Sequence, residues 1–193
     1  MNLKQQAAHF ALGYVRTGMV LGLGTGSTHA YFLDMLGEKI EAGILQNVVG
    51  VPTSEGTADR ARELGVPLTS LANHPRIDLA VDGADEVDSD LNVVKGLGRA
   101  LLREKIVEVH ADRFVVLVDE SKLVPRLGTI APLPVEVVPF QIEAHLRWLR
   151  SLGCRPVLRH EEDGTVMVTD NGNNLVNCWF EGGIADPYAC LLY

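Results

Sequence analysis

Short apolar runs that alternate with helical stretches do most to limit what this chain can fold into. Met19 to Leu23 leads into glycines, and from His29 the residues Ala30, Leu33, Leu36 and Ile40 recur at helical spacing. Val48 to Val51 precedes a predicted helix from about Glu55 to Leu64, and Ile77 to Val81 precedes an acidic stretch. A further predicted helix, from about Gly98 to Val109, leads into Phe114 to Val118. Strands that are apolar along their whole length are buried on both faces, and helices between them argue for a mainly parallel sheet. Ahead of all this, Leu3, Ala7, Phe10, Ala11, Tyr14 and Val15 predict an opening helix, with Gly18 placed to end it.

Past about Gly128 the texture changes. Pro132, Pro134 and Pro139 are spaced around Val135 to Val138, and Ile142, Leu146 and Leu149 mark an amphipathic helix ending at Gly153. Pro156 to Arg159 and Thr165 to Thr169 read as strands flanking a hairpin turn at Glu161-Glu162-Asp163-Gly164. The polar turn Asp170 to Asn174 precedes a further strand, Leu175 to Phe180. The expected architecture is therefore an α/β domain over residues 1–128, a mainly parallel Rossmann-like sheet with helices on both faces. A small α+β domain over residues 129–193 is appended to it in the order β-α-β-β-β, with no linker long enough to separate the two.

Charge and composition remove several classes of function. The 193 residues include 25 acidic and 17 basic side chains, a formal net charge of −8, so phosphate backbones and anionic membranes repel the chain before local contacts form. Neither nucleic acid nor a membrane is an expected partner. No apolar run reaches the roughly 20 residues of a spanning helix. Met1 to Gln6 lacks the apolar stretch of a secretory signal, which points to the cytoplasm. Cys154, Cys178 and Cys190 show no metal-ligand spacing and the histidines no paired spacing, so neither a disulfide framework nor a metal site is expected.

Three segments carry chemistry. Gly22-Leu23-Gly24-Thr25-Gly26-Ser27-Thr28 lies between a predicted strand and a predicted helix. There, backbone N–H groups and the positive end of the helix dipole hold an anion, phosphate above all. The loop is not a Walker A motif, since no lysine precedes Ser27 or Thr28, and Ser27 stands where a dinucleotide fingerprint has its third glycine. A plain tight turn with Ser or Thr capping the helix fits the spacing as well.

The second segment, Asp82-Gly83-Ala84-Asp85-Glu86-Val87-Asp88-Ser89-Asp90, begins where the strand Ile77 to Val81 ends, and open α/β sheets bind ligands beyond the carboxyl ends of their strands. Asp82 and Asp85, nearest that edge, are candidate proton-transfer groups, whereas Glu86, Asp88 and Asp90 read as a solvated acidic turn. Asp88-x-Asp90-x-Asn92 starts like a calcium loop, but Val93 replaces its glycine and Arg99 its terminal glutamate, which rules that loop out. The third segment, Lys95-Gly96-Leu97-Gly98, enters a predicted helix whose buried stripe is Leu102, Ile106 and Val109. Glu104 falls about 200° round from Leu102, so periodicity alone makes it a surface glutamate. Lys95 and Lys122 each follow a strand by a few residues, which suits them to the same sheet edge.

Taken in order, Gly24-Thr25-Gly26-Ser27-Thr28, Val81-Asp82-Gly83-Ala84-Asp85-Glu86, Lys95-Gly96-x-Gly98, Arg103-Glu104-Lys105 and Pro134-Val135-Glu136-Val137 resemble the type A ribose-5-phosphate isomerases. Any one motif is weak and the ordered set is strong, and the resemblance runs from the first helix to about Pro187. It implies a cofactor-free, metal-free aldose-ketose isomerase that acts on a sugar phosphate as a homodimer or homotetramer. Glu104 is then the general base that moves a proton between C2 and C1, in place of the surface glutamate that periodicity gives. Asp82 and Asp85 are implied to handle hydroxyl protons and ring opening, and Lys95 to stabilise charge on the enediolate oxygen. Implied substrate contacts are Thr25, Gly26, Ser27 and Thr28, then Gly83 and Ala84, then Gly96, Leu97 and Gly98, and finally Lys122.

Two departures from the family stand out. Leu97 and Arg99 occupy a turn that is richer in glycine there. Family members also continue past the point where this chain stops; Ile184 to Pro187 reads as the start of their next helix, so the small domain is expected to be incomplete at its carboxyl end. A non-catalytic sugar-phosphate sensor is the alternative function, and it needs the glycine loop but not Glu104, Asp82, Asp85 and Lys95 together. A nucleotide-dependent enzyme is disfavoured by Ser27 and by the missing P-loop lysine.

Overall fold

Strands without a polar face need cover on both sides, and in this protein small residues on one of those sides let a helix come close. The computed structural model describes residues 2–190. Its first half comprises helix α1 (Leu3–Leu12), strand β1 (Val20–Leu23), α2 (Ser27–Glu41), β2 (Val49–Pro52), α3 (Glu55–Glu63) and β3 (Leu79–Gly83). Two short strands follow, β4 (Glu86–Val87) and β5 (Val93–Val94), then α4 (Leu101–Glu108), β6 (Phe114–Leu117) and a 3-10 turn (Glu120–Lys122). The remainder is β7 (Leu133–Val137), α5 (Ile142–Ser151), β8 (Arg155–Leu158) and β9 (Asn174–Trp179).

These elements fall into two units, residues 1–83 with 102–119 and residues 84–101 with 120–193. Texture alone groups 84–101 and 120–128 with the first part of the chain. They group with the second instead: Val87 bridges Leu123, and Glu86 accepts the N–H groups of Ile130 and Ala131 at 2.6 and 2.7 Å.

In the first unit the strands run parallel in the order β2-β1-β3-β6, with Leu21 level with Gly50 and Leu79. One sheet face, with Leu21, Leu23, Leu79, Val81 and Leu117, packs on Ala8, Ala11 and Leu12 of α1, Phe32, Leu33 and Leu36 of α2, and Ala61 of α3. Each fully buried Leu or Phe contributes about 1.5–3 kcal/mol, which makes this cluster the main source of the unit's stability. On the opposite face a Cβ added to Gly22 falls 2.8 Å from Val107 Cγ1 and 2.9 Å from Ala80 Cβ. The missing side chain is what admits α4. Helix α1 starts with a capping box between Asn2 and Gln5 and stops at Gly13; Gly18, with φ of 84°, serves the turn before β1 and not the helix end.

The second unit holds an antiparallel sheet in the order β7-β9-β8 with α5 packed against it through Leu149, Cys154, Val176 and Cys178. Burial, and then the neighbouring Cys154, push the Cys178 thiol above its ordinary value, so it stays protonated and unreactive. Thr165 to Thr169 does not form the expected strand and makes only isolated bridges, His160 to Val166 and Val168 to Asn174. The partner is remote in sequence: Thr169 Oγ1, Asn171 Nδ2 and Asn173 Nδ2 all donate to Glu136 Oε1 on β7, at 2.8, 2.9 and 3.0 Å, which curls the end of the segment away from a straight ladder. Ile184 to Pro187 forms no helix among the described residues. Asp186 instead accepts the N–H groups of Tyr188 and Ala189 in a single turn. No helix of the described residues is long and apolar enough to cross a membrane.

Candidate active site

At the carboxyl end of β1 the backbone turns directly over Asp82. A Cβ built on Gly24 would lie 2.2 Å from Asp82 Cγ, so only glycine fits while Asp82 keeps its place. That place is fixed by two donors to Asp82 Oδ1, the Thr25 N–H at 3.0 Å and the Gly83 N–H at 2.7 Å. Gly24→Ala is expected to cost roughly 1–3 kcal/mol, as other overpacked sites do. It should lower the urea midpoint at constant m; an unchanged midpoint would show that Asp82 swings aside freely.

The same loop is tied to α3 by hydroxyl groups that the sequence reading passed over. Thr25 Oγ1 donates to Ser54 Oγ at 2.9 Å, Ser54 Oγ to Thr57 Oγ1 at 3.0 Å, and Thr57 Oγ1 to the Gly24 carbonyl at 2.9 Å. Each hydroxyl has one proton to give, so the chain of donors runs one way and closes on the loop's own backbone. Thr53 adds a bond to the Leu23 carbonyl at 3.0 Å. Helix α2 is capped by Gly26 with no side-chain bond, not by Ser27 or Thr28, so its first-turn N–H groups keep their capacity to hold an anion. Lys4 places its ammonium 2.8 Å from Ser27 Oγ and adds positive charge at that helix start.

Helix α4 is rotated relative to the expected stripe. Leu102, Ile106 and Val109 are 40%, 44% and 62% exposed, while Glu104 is only 3% exposed and Val107 is buried. Val107 packs over Gly22, and one helical turn of spacing then carries Glu104 and Glu108 to the same side. One carboxylate oxygen from each of Asp82, Glu104 and Glu108 lies within 4.8 Å of the other two. Among the described residues this trio alone is spaced to share a cation. Three carboxylates this close repel one another in a low dielectric. Arg103, next to Glu104 on α4, pairs with Glu55 at 2.7 Å.

In the second unit Glu86 departs from the expected solvated acidic turn, whereas Asp90 is exposed as expected and Asp88 half-buried. Glu86 is fully buried, and its carboxylate accepts the N–H groups of Ile130 (2.6 Å), Ala131 (2.7 Å) and Gly128. Asp88 accepts the backbone N–H of Asn92 and of Asp90 and the Asn92 amide; against partial desolvation, these donors hold its carboxyl below the ordinary value. Asp85 receives the Leu97 N–H on Oδ2 at 2.9 Å, which joins it to the Lys95–Gly98 turn. Lys95, Leu97, Ala84 and Lys122 are half-buried, Gly96 is buried and Gly98 exposed. Arg99 takes a left-handed backbone, φ 75°, which costs a non-glycine residue roughly 1–2 kcal/mol. A two-bond ion pair with Glu161, at 2.7 and 2.9 Å, offsets part of that.

Comparison with known proteins places this arrangement. The family model described as ribose 5-phosphate isomerase A (phosphoriboisomerase A) matches residues 49–191. The ribose-5-phosphate isomerase A of Roseiflexus castenholzii is 55% identical over 186 residues, 96% of this chain and 79% of that protein. A probable chloroplastic ribose-5-phosphate isomerase of Arabidopsis thaliana is 49% identical over 97% of this chain and 70% of its own length. Among solved structures, ribose 5-phosphate isomerase A of Methanocaldococcus jannaschii superposes with a TM-score of 0.92 at 41% identity, covering 97% of this chain and 82% of that one. A D-ribose-5-phosphate isomerase in complex with phospho-erythronic acid reaches a TM-score of 0.94 at 44% identity, over 98% and 84%. With matches this extensive in both sequence and backbone, the chain belongs to the ribose 5-phosphate isomerase A family.

Proposed function

We propose that this chain interconverts ribose 5-phosphate and ribulose 5-phosphate by proton transfer between C2 and C1. The observation that carries the reading is Glu104: a carboxylate 3% exposed, grouped with Asp82 beside the glycine loop, in a chain of this family. Glu104 takes the C2 proton of the open-chain aldose, the freed pair forms the C1–C2 double bond, and the C1 carbonyl oxygen becomes the enediolate oxygen. A proton passes from O2 to O1, and Glu104 returns its proton to C1. Asp82 and Asp85 serve the hydroxyl protons and ring opening, and Lys95 stabilises the oxygen on which charge develops. The glycine loop from Thr25 to Thr28 holds the substrate, with Lys4 beside it; Gly83, Ala84, Gly96, Leu97, Gly98 and Lys122 are further contacts. Phospho-erythronic acid, bound by a structural neighbour, supports this chemistry because its carboxylate is a planar two-oxygen anion like an enediolate. The sensor reading draws no comparable support. Association as a homodimer or homotetramer and a cytoplasmic location belong to the same proposal, with light scattering as the check on assembly.

The deciding experiment follows ribose 5-phosphate by NMR in D₂O with EDTA and no nucleotide. Conversion with deuterium appearing at C1 of the ketose is expected. Strict dependence on added metal, or binding without conversion, would overturn the reading, the second in favour of a sensor.

A further inference from the structure

The Lys95–Arg99 turn is held by a second segment, distant in sequence, that no motif reaches. Gly96 and Arg99 both have left-handed backbones, with φ of 109° and 75°, and inside the turn the Arg99 N–H donates to the Gly96 carbonyl at 3.0 Å. Leu97 sits between them and is gripped at both its backbone groups. Its N–H donates to Asp85 Oδ2 at 2.9 Å, and its carbonyl accepts Arg159 Nη1 at 3.0 Å. Arg159 is anchored in turn: its own N–H donates to the Leu175 carbonyl at 2.9 Å, and its carbonyl accepts the Met167 N–H at 3.0 Å. Two residues on, Glu161 pairs with Arg99, so the same hairpin grips the turn twice.

We propose that Arg159 is a positioning residue: by holding the Leu97 carbonyl it fixes the Leu97–Gly98 peptide and so restrains the adjoining Gly96–Leu97 peptide, whose N–H is presented to Asp85, and the Asp85 carboxylate keeps one orientation. The proposal rests on the reading of Asp85 as a proton-handling group. A guanidinium suits the task because its donors are planar and pre-oriented, where an ammonium on a flexible stem fixes no plane. Burial, and then the neighbouring Arg99 charge, hold the Arg159 guanidinium below its ordinary value, and attraction to Glu161 and Asp85 offsets part of that. Arg159 thereby reaches the chemistry through a carbonyl and an N–H of the same residue, without touching substrate.

The test is a double-mutant cycle in ribose 5-phosphate conversion. Conversion by the unaltered protein comes first, and its absence overturns this proposal together with the function it rests on. Given conversion, Arg159→Met is expected to lower kcat about tenfold with KM changed less than about threefold, and the same substitution in an Asp85→Asn background to lower kcat less than about twofold. A residue that merely supports the fold would lower both backgrounds by the same factor. Equal factors, or a wild-type kcat in Arg159→Met, overturn the positioning role while leaving the function intact. If Arg159→Met does not fold, Arg159→Lys takes its place in the cycle, with a loss of about threefold that collapses once Asp85 is neutralised. Equal losses in the two backgrounds overturn the proposal there as well.

Discussion

Glu104→Gln is expected to lower ribose 5-phosphate conversion at least about a hundredfold, within the 10²–10⁴-fold that a positioned base supplies. The substitution exchanges one oxygen for an amide nitrogen in a side chain that is 3% exposed, so volume and burial are kept and basicity is lost. It also removes one of the carboxylates that crowd Asp82, which should leave the melting temperature equal or raised. A loss of activity at undiminished stability separates chemistry from folding. Deuterium wash-in from D₂O should fall in step with turnover, because both pass through the same proton. Activity within tenfold of the unaltered protein would remove Glu104 as the base and leave Glu108, on the same face of α4, as the next carboxylate to replace.

The second large effect concerns stability. Glu86→Ala strips the acceptor from three backbone N–H groups, of Gly128, Ile130 and Ala131. Each buried donor left without a partner costs about 1–3 kcal/mol, and breaking a buried charged contact costs about 3–5 kcal/mol in all. Against a typical total of about 5–15 kcal/mol, that is enough to loosen much of the second unit. Urea unfolding should show it directly. Glu86→Gln makes a discriminating control. Its single carbonyl oxygen still serves Ile130 and Ala131, but its amide nitrogen turns a donor toward the Gly128 N–H, so an intermediate loss is expected. An alanine variant within about 1 kcal/mol of the unaltered protein would mean that water replaces the carboxylate without penalty.

Much of the architecture was legible because buried parallel strands write themselves as unbroken apolar runs. β1, β2, β3 and β6 each lie within or beside the run that predicts them. Local patterns failed where the deciding partner is remote in sequence. The stripe Leu102, Ile106 and Val109 outweighs Glu104 on any hydropathy count, yet α4 turns the other way because Gly22 and Ala80 leave room for Val107 alone. Glu86 looks like its acidic neighbours until the backbone of 128–131 arrives to bind it. Thr53, Ser54 and Thr57 carry no motif; the register that sets Leu23 level with Pro52 brings them to the glycine loop, and register is a property of two strands together. The ordered motifs give Asp82, Asp85, Lys95 and Glu104 expected roles, while the hydroxyl chain and the hold of Arg159 on Leu97 arise only once the chain is folded.

The interleaving of the two units also bears on heredity. A gene fragment ending after residue 83 leaves out α4 and β6, and with them Glu104 and an edge of the parallel sheet. One starting at residue 120 leaves out the β4–β5 hairpin and the Lys95 turn. No single crossover between two such genes therefore exchanges one unit without splitting the other. Recombination at any one point thus leaves at least one unit with residues from both parents, so that unit's core must tolerate the mixture.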